Sequence, residues 1–423
     1  MKKLLLLVGT LLSGILNAHS ADGTATPEVL RYDLRLALDI AARTATVSGS
    51  LEIDFKGCDT IGLVLWGRTA IRSVSHEGCP VTYRFDTLAP APVLFIPDGR
   101  SLQLANPRPG SGKNRIDVEY RCDMSGIQGP ARAFDDAWIE LGFYTAWYPV
   151  HPESGQAHTE IDITIDEGYR VDGSGIVTRQ KDAWHISQPW ASFDNVVLAS
   201  PQLKNRTLDR DGIRFEVVYT DFPEADAEAV LSRCAEMLAF YKTLYGDPDS
   251  GDDRLKFSVS VSGERGGYSR KNFITYMGRR YDKSFERGIA HELAHFWWNK
   301  APTDSWQDWL NEAFAEFSTM WSVRRFRGVE AYRDLAAAYR EDTAATCPIW
   351  GIDRDSPEAF RALYAKGALI LCDLEEQIGE ERFFAFMRKV AARKITSTTE
   401  FLHCTEQSLG RELRDWFFLR LNN

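Results

Sequence analysis

The segment HELAH at residues 291–295 contains two histidines four positions apart, with a glutamate beside the first. On a helix, residues at this spacing lie on one face, so His291 and His295 can direct both imidazoles at one metal ion. A catalytic zinc takes three protein ligands and keeps a fourth position for water. Glu292 would face that position, where it could accept a proton from water whose pKa the metal has lowered. The segment therefore predicts a hydrolytic zinc site.

A third metal ligand has to come from another part of the chain. Residues 308–324 read DWLNEAFAEFSTMWSVR, which predicts a second helix carrying Glu312 and Glu316. The segment between the two motifs contains Pro302 and is long enough for a helix end, a turn and a new helix start. The spacing alone leaves both glutamates open as ligands.

HELAHFWW followed by WLNEAFAEF resembles the aminopeptidase N family of gluzincin zinc metallopeptidases, whose pattern is HELAH, a spacer and W-L-N-E-G-F-A. The resemblance implies that Glu312 is the third ligand of one Zn²⁺ per chain. Glu316 then becomes a carboxylate beside the ligands or on the helix surface. The spacer between His295 and Glu312 is usually eighteen residues in the family and is sixteen here, a difference that falls in the turn between the helices.

LYAKGALILCDLEEQIG (363–379) resembles the family's Y-x-K-G segment. The resemblance implies that Tyr364 stabilises the oxyanion, a role for which a neutral phenol is suited because it can donate to developing negative charge. The alternative is an aromatic residue that packs at a helix start. Residues 138–152, 189–200 and 396–421 are similar to further family segments, so the resemblance covers nearly the whole mature chain. It implies a short, two-domain member that lacks the C-terminal helical domain of larger relatives.

Substrate recognition is where the sequence departs from the family. Family members recognise a free N-terminus largely through the Glu of a G-A-M-E-N strand, and that Glu corresponds to Ser269 in GGYSRKNFITY (266–276). The strand could still bind a peptide as an added strand, through main-chain hydrogen bonds. Glu140 is matched by the resemblance to a second amine-binding Glu. The candidate substrate-binding residues are Gly266, Gly267, Tyr268, Ser269, Arg270 and Glu140.

Basic residues surround the substituted position. Arg270, Arg265 and Lys271 would repel a substrate ammonium group and could attract a carboxylate instead. The alternative is that they are solvated loop charges without a role in binding.

Two kinds of sequence pattern surround these motifs. From Thr26 to about Asn205, apolar and polar residues alternate between turn clusters, which predicts antiparallel strands. Beyond it, a helical pattern (223–246) and two strands precede an almost entirely helical remainder. Together with the resemblance, this predicts a multi-domain α+β fold, with an N-terminal antiparallel β-saddle domain (21–205) and a thermolysin-like, mostly helical zinc-peptidase domain (206–423).

The remaining features concern the compartment and the partners. Lys2, Lys3 and the apolar stretch up to Leu16 predict a signal peptide over residues 1–20, and therefore a periplasmic or secreted protein without stable membrane insertion. The formal net charge of −10 argues against nucleic acid as a partner. In an oxidising compartment, some of the seven cysteines are expected to pair. The alternative for several of them is a buried free thiol.

The predicted function is a zinc-dependent metallopeptidase, aminopeptidase-like, that acts on peptides or proteins. Three alternatives stay open. The first is a peptidase of the same fold with altered end-recognition, which is endo-acting or prefers acidic or modified peptides. The second is a non-catalytic zinc-containing protein that binds peptides, and the third is hydrolysis of a non-peptide substrate at the same zinc.

Overall fold

The structure is a computed structural model that describes residues 26–91, 93, 95–152, 155–248, 253–264 and 266–423. The predicted signal peptide and Arg265 lie outside these residues. The described chain forms two compact units. The strand-rich unit has the residues up to 232 and those between 253 and 285, and the helical unit has residues 233–248 and 286–423. None of the described helices has the length and apolar character that a bilayer crossing requires.

The strand-rich unit carries all the strands of the described residues. They are β1 (Glu28–Asp39), β2 (Thr44–Asp54), β3 (Thr60–Trp66), β4 (Thr69–His76), β5 (Cys79–Pro80), β6 (Tyr83–Pro90), β7 (Gly99–Ala105), β8 (Lys113–Asp123), β9 (Ala133–Phe134), β10 (Ile139–Leu141), β11 (Ala157–Thr164), β12 (Arg170–Gly173), β13 (Ile176–Arg179), β14 (Trp184–Ser192), β15 (Val197–Ser200), β16 (Lys204–Arg210), β17 (Ile213–Tyr219), β18 (Arg254–Ser260), β19 (Gly266–Arg270) and β20 (Phe273–Met277).

Three of the four sheets build the part predicted as a β-saddle. The largest has the order β13-β14-β11-β1-β2-β8-β4-β5, and the two smaller ones have the orders β12-β15-β10-β9 and β3-β7-β6. Their alternating apolar positions form one core that includes Phe55, Tyr120 and Trp147. Neighbouring strands are antiparallel as predicted, except that β1 pairs with β11 in parallel. The long chain between these two strands permits a parallel pair, which a tight hairpin cannot form.

The fourth sheet has the order β16-β17-β18-β20-β19. β17 and β18 are parallel neighbours, and the helix α1 (Glu224–Tyr245) lies between them in sequence. β19 pairs only with β20 and is therefore an edge strand of this sheet. The whole sheet belongs to the strand-rich unit, although its strands lie close to or beyond residue 205. The domain boundary at residue 205 stays a prediction.

The other helices are α2 (Lys283–Ala294), α3 (Trp309–Arg327), α4 (Val329–Thr343), α5 (Gly367–Ile378), α6 (Glu380–Arg393), α7 (Thr398–Leu409) and α8 (Arg411–Asn422). A π-helical turn, Arg361–Lys366, leads directly into α5. α3 is buried along most of its length, which is typical of a central helix. Its Trp309 ring packs against Phe401 and Phe417 of the last two helices. The predicted α+β fold with a strand-rich part followed by a mostly helical part is confirmed.

The cysteines differ from the expectation. All seven lie among the described residues, and none of them is in a disulfide. Cys122, Cys234, Cys372 and Cys404 are buried. The expected pairing is therefore wrong for this structure, and the alternative of buried free thiols holds for these four.

Candidate metal centre

The two histidines of HELAH lie at the end of α2. His291 is in the last turn of the helix, and His295 follows one residue after the helix ends at Ala294. Their ring centroids are 4.9 Å apart, with the rings nearly perpendicular. Glu312, in the first turn of α3, joins them: one potential ligand atom from each of the three residues lies within 4.8 Å of the other two. Among the described residues, this is the only such group of three or more His, Cys, Asp or Glu side chains.

The neighbours of each imidazole determine which nitrogen can bind a metal. Nδ1 of His291 lies 3.0 Å from Oε2 of Glu316, and Nδ1 of His295 lies 2.8 Å from the carbonyl oxygen of Trp298. Both partners are acceptors, so each Nδ1 carries a hydrogen, and each Nε2 is the nitrogen that could bind a metal once it is unprotonated. The Nε2 atoms of His291 and His295 are 3.0 Å and 3.6 Å from Oε2 of Glu312. Two imidazole nitrogens and one carboxylate oxygen form a donor set that suits a catalytic zinc.

The electrostatics of the group favour a cation. Burial disfavours the charged imidazole of His291, but its hydrogen bonds and charge interactions with Glu312 and Glu316 outweigh this and raise its pKa well above the usual value. Burial acts to raise the pKa of the two carboxyls, yet the nearby positive charges lower both to about 2. Glu312 and Glu316 therefore stay ionised around the histidines.

Two residues with proposed catalytic roles adjoin this group. Glu292 is buried on α2 directly after His291. Tyr364 lies in the π-helical turn, and its ring stacks on that of His291 with centroids 5.7 Å apart and planes 7° apart. Burial and the charge of Glu312 raise the pKa of Tyr364 well above its usual value. The phenol therefore keeps its hydrogen and can act as a donor.

Close helix packing brings Tyr364 to the metal ligands. The N–H of Gly367 donates to the carbonyl of Ala362, five residues back, which defines the π-helical turn. A Cβ atom at Gly367 would lie only 2.5 Å from the Cβ of Ala313, the residue after Glu312. Only a glycine allows the start of α5 to approach α3 this closely.

The buried Asp308 and the partly buried Arg354 form a second charged group near Glu312. Nη2 and Nε of Arg354 lie 2.8 Å and 2.9 Å from Oδ2 of Asp308, and Oδ1 accepts from the side chain of Asn311 at 2.9 Å. Burial and the charge of Glu312 raise the pKa of Asp308 to about 7, and the Arg354 charge opposes this rise. The same guanidinium acts to lower the pKa of both Glu312 and Tyr364.

Sequence reasoning missed Asp308, Arg354, Arg287 and Tyr339 as neighbours of the metal group. Arg287 is one helical turn before His291, so its place on the same face of α2 could have been inferred. Arg354 and Tyr339 come from separate segments, and no local pattern connects them to the histidines. Trp297, Trp298 and Trp309 are buried near the group, whereas Trp306 is partly exposed.

The candidate substrate-binding strand is β19 of the strand-rich unit. Gly266, Gly267 and Ser269 are partly exposed on this strand, whereas Tyr268 is buried. An edge strand has one side on which a peptide could add by main-chain hydrogen bonds. Ser269, at the position of the family Glu, pairs with Ile274 of β20.

The interpretation of Arg270 as a solvated loop charge is wrong. Its side chain is only 6% exposed, and Nε lies 2.6 Å from Oδ2 of Asp194. The guanidinium also lies over the rings of Tyr144, Phe193 and Tyr268. Burial opposes the charge of Arg270, but Asp194 outweighs burial and its pKa is raised. The guanidinium is thus already ion-paired within its own unit.

Glu140 is completely buried on β10, and both of its carboxylate oxygens accept hydrogen bonds. Oε2 accepts from Trp138 at 3.0 Å, from Ser262 at 2.8 Å and from Ser260, and Oε1 accepts from Tyr268 at 3.2 Å. Burial raises the pKa of Glu140 even though these donors oppose the rise. A substrate ammonium group would have to compete with four donors for this carboxylate.

Residues 274–416 match the peptidase family M1 domain. This stretch contains His291, His295 and Glu312, which group together, and also Glu292 and Tyr364. This part of the chain therefore resembles the peptidase family M1 domain. The resemblance to aminopeptidase N-type gluzincins is therefore confirmed, while the roles of the individual M1 site residues stay predictions.

Sequence relatives of the chain include two proteins named aminopeptidase N. The one from Haemonchus contortus is 35% identical over 270 residues, which is 55% of this chain and 26% of that protein. The one from Streptomyces lividans is 26% identical over 217 residues, which is 45% of this chain and 25% of that protein. The matched segments thus span about a quarter of the length of these relatives.

Solved structures share the M1 fold over most of the chain. The M1 zinc metallopeptidase from Deinococcus radiodurans matches with a TM-score of 0.77 and 17% identity, covering 94% of both chains. Native leukotriene A4 hydrolase from Saccharomyces cerevisiae matches with a TM-score of 0.73 and 17% identity, covering 92% of this chain and 67% of that one. At this level of identity, the likeness supports the fold alone.

Proposed function

We propose that this chain is a zinc-dependent metallopeptidase that hydrolyses peptide bonds with metal-activated water, in the manner of an aminopeptidase. The observation that carries the proposal is the convergence of His291, His295 and Glu312 within 4.8 Å, with Glu292 and Tyr364 beside them. The three ligands would hold one Zn²⁺ per chain.

The metal ion and the residues around it would divide the chemistry between them. When bound, the ion would lower the pKa of a water molecule and polarise the substrate carbonyl. Glu292 would accept the proton of that water and later deliver it to the leaving amine. Tyr364 would donate its phenolic hydrogen to the carbonyl oxygen as that oxygen becomes negative. His291 would be kept in the required tautomer by Glu316.

Short peptides are the proposed substrates. A structure of the D. radiodurans M1 zinc metallopeptidase variant holds the peptide Tyr-Ser-Ala, described as its substrate. The edge position of β19 supports the same substrate class, because an extended peptide can bind there through its main chain.

A second candidate is a peptidase of the same fold with altered end-recognition. Two observations favour it: Ser269 stands where the family carries an amine-binding Glu, and all four donors around Glu140 already engage its carboxylate. An uncharged or blocked N-terminus would then be accepted as well as a free one, so the enzyme would cut blocked or internal sites.

The test of turnover is the substitution Glu292→Gln. It keeps the size of the side chain but removes the base, so we expect zinc to bind stoichiometrically while peptide hydrolysis falls by about 100-fold or more. Zinc content by metal analysis is the control. Full activity of the zinc-loaded variant would contradict the mechanism. Stoichiometric zinc with no hydrolysis of any peptide by the wild-type protein would favour the alternative of a non-catalytic binding protein.

The test of end-recognition uses pairs of peptides that differ only in N-terminal acetylation, with products mapped by mass spectrometry and Glu292→Gln as the blank. An aminopeptidase releases the first residue from the free peptide and leaves its acetylated twin intact. Internal cuts in both peptides would instead support altered end-recognition.

We also propose that the protein is exported, because Lys2, Lys3 and the apolar stretch that follows have the order of a signal peptide. N-terminal sequencing of the mature protein from the periplasm or medium should begin near residue 21. A cytoplasmic protein with an intact N-terminus would overturn this proposal.

A further inference from the structure

Glu316 connects the metal ligands to a third helix. One of its oxygens, Oε2, lies 3.0 Å from Nδ1 of His291, and the other, Oε1, accepts the phenolic hydrogen of Tyr339 on α4. The oxygen of that phenol accepts in turn from Nη2 of Arg287, at 2.5 Å. A continuous chain of hydrogen bonds therefore runs from Arg287 through Tyr339 and Glu316 to His291.

This series of hydrogen bonds begins and ends on the same helix, α2. Arg287 and His291 are four residues apart on α2, so they lie on the same face one turn apart. Nη2 of Arg287 is also 3.6 Å from Oε1 of Glu316. The three helices α2, α3 and α4 are thus joined at one carboxylate, and the positive charge of Arg287 offsets the negative charge of Glu316.

The direction of each hydrogen bond follows from the groups present. Arg287 can only donate, and Glu316 as a carboxylate can only accept. The phenol between them therefore accepts from the guanidinium and donates to the carboxylate. This order leaves Oε2 of Glu316 as an acceptor for His291, which holds a hydrogen on Nδ1 and leaves Nε2, on the side of Glu312, as the nitrogen for a metal ion.

We propose that Tyr339 and Arg287 are positioning residues of the metal centre, which set the orientation of Glu316 and thereby the tautomer and the metal affinity of His291. The proposal rests on the proposed zinc site. It assigns a role in metal binding to two residues that lie outside the HELAH and NEAFAE motifs.

The decisive variant is Tyr339→Phe, which removes one hydroxyl and keeps the ring. The matched control is Tyr332→Phe on the same helix, because that hydroxyl interacts with the thiol of Cys372 rather than with Glu316. We expect Tyr339→Phe to weaken zinc binding by about 10- to 100-fold, the usual cost of losing a partner of a ligating histidine, and Tyr332→Phe to leave it unchanged. Zinc affinity is measured by competition with a chromophoric chelator, without reference to activity.

A merely structural role for Tyr339 predicts a different pattern. Loss of packing would lower the melting temperature of the metal-free protein, whereas loss of positioning reduces the additional rise in melting temperature that zinc produces. The absorption spectrum of the Co²⁺-substituted protein provides a further measure, since the ligand field should change in Tyr339→Phe and not in Tyr332→Phe. Unchanged zinc affinity and an unchanged Co²⁺ spectrum in Tyr339→Phe would overturn the proposal.

Arg287 provides a second, independent variant in case Tyr339→Phe does not fold. Its side chain is 40% exposed, so substitution leaves no buried cavity. Arg287→Gln should weaken zinc binding about tenfold, and Arg287→Lys should recover part of the loss because it keeps the charge. Equal affinities of wild type and Arg287→Gln would argue against the charge effect. Because every readout is metal binding, these outcomes are separate from a failure of peptidase activity.

Discussion

Tyr364 is held over the metal ligands by the stacking of its ring on His291, and its hydroxyl interacts with Glu312. Replacement by phenylalanine keeps the stacked ring and removes the donor. We expect Tyr364→Phe to lower kcat by about 100- to 1000-fold, which is typical for loss of one oxyanion donor, with KM and zinc content near those of the wild type. Steady-state kinetics on a short peptide measure this. A variant with wild-type kcat would show that the phenol only packs.

His291 provides a prediction about protons. In the metal-free protein its pKa is raised well above the usual value, so the imidazole is charged at pH 7, whereas Glu312, with a pKa of about 2, is already ionised. Zinc requires the neutral imidazole, so binding should release about one proton, and affinity should fall about tenfold for each unit by which the pH is lowered. Calorimetric titrations in two buffers with different ionisation enthalpies count the protons. Binding heats that do not depend on the buffer would contradict this.

Individual side chains differed in how well the sequence predicted them. Helical spacing predicted that His291 and His295 lie together, and the resemblance implied Glu312 as their partner; the three residues do form one group. The burial of Arg270 could not be predicted, because its partner Asp194 is far away in sequence and no local pattern reveals it. A buried charge is identified only when the fold brings its counter-ion to it.

At the scale of elements, the contact between α3 and α5 is a tight constraint near the site. Gly367→Ala would place a methyl group 2.5 Å from the Cβ of Ala313, which requires the helices to separate. We expect a loss of about 1–3 kcal/mol in the free energy of unfolding and a lower kcat, because Tyr364 moves with its turn. Denaturant titration and peptide kinetics measure the two effects.

Gly367 and Ala313 together provide a control for this prediction. The double variant Gly367→Ala, Ala313→Gly exchanges the methyl group between the helices and should recover much of the stability and activity. If the double variant were as impaired as Gly367→Ala alone, crowding against Ala313 would not be the cause.

Several elements could be predicted from the sequence and others could not. The second helix was predicted over 308–324 and is found at Trp309–Arg327, because its apolar periodicity and the preceding turn mark it clearly. The π-helical turn was not predicted, because its six residues are too few for a hydrophobic pattern to reveal the shift in helical phase. The parallel pairing of β1 with β11 was also not predictable, because it depends on contacts over a long sequence separation.

At the scale of the whole molecule, the order of strands first and helices later was sufficient to predict the fold class, since it reflects which segments can bury an alternating or a helical apolar face. The membership of β16–β20 in the strand-rich unit was not evident from local patterns. That unit places Gly266–Arg270 on an edge strand, which pairs with Phe273–Met277.

The π-helical turn Arg361–Lys366 has a consequence for how this protein can evolve. Deleting one residue there would restore an ordinary helix and rotate Tyr364 by about 100° relative to α5, away from His291. The turn between α2 and α3 accommodates a spacer of sixteen residues where the family usually has eighteen. The segment before Gly367 has no such freedom in length. Descendants of this sequence should therefore vary in the length of the turn between α2 and α3 and keep the length of Arg361–Lys366 constant.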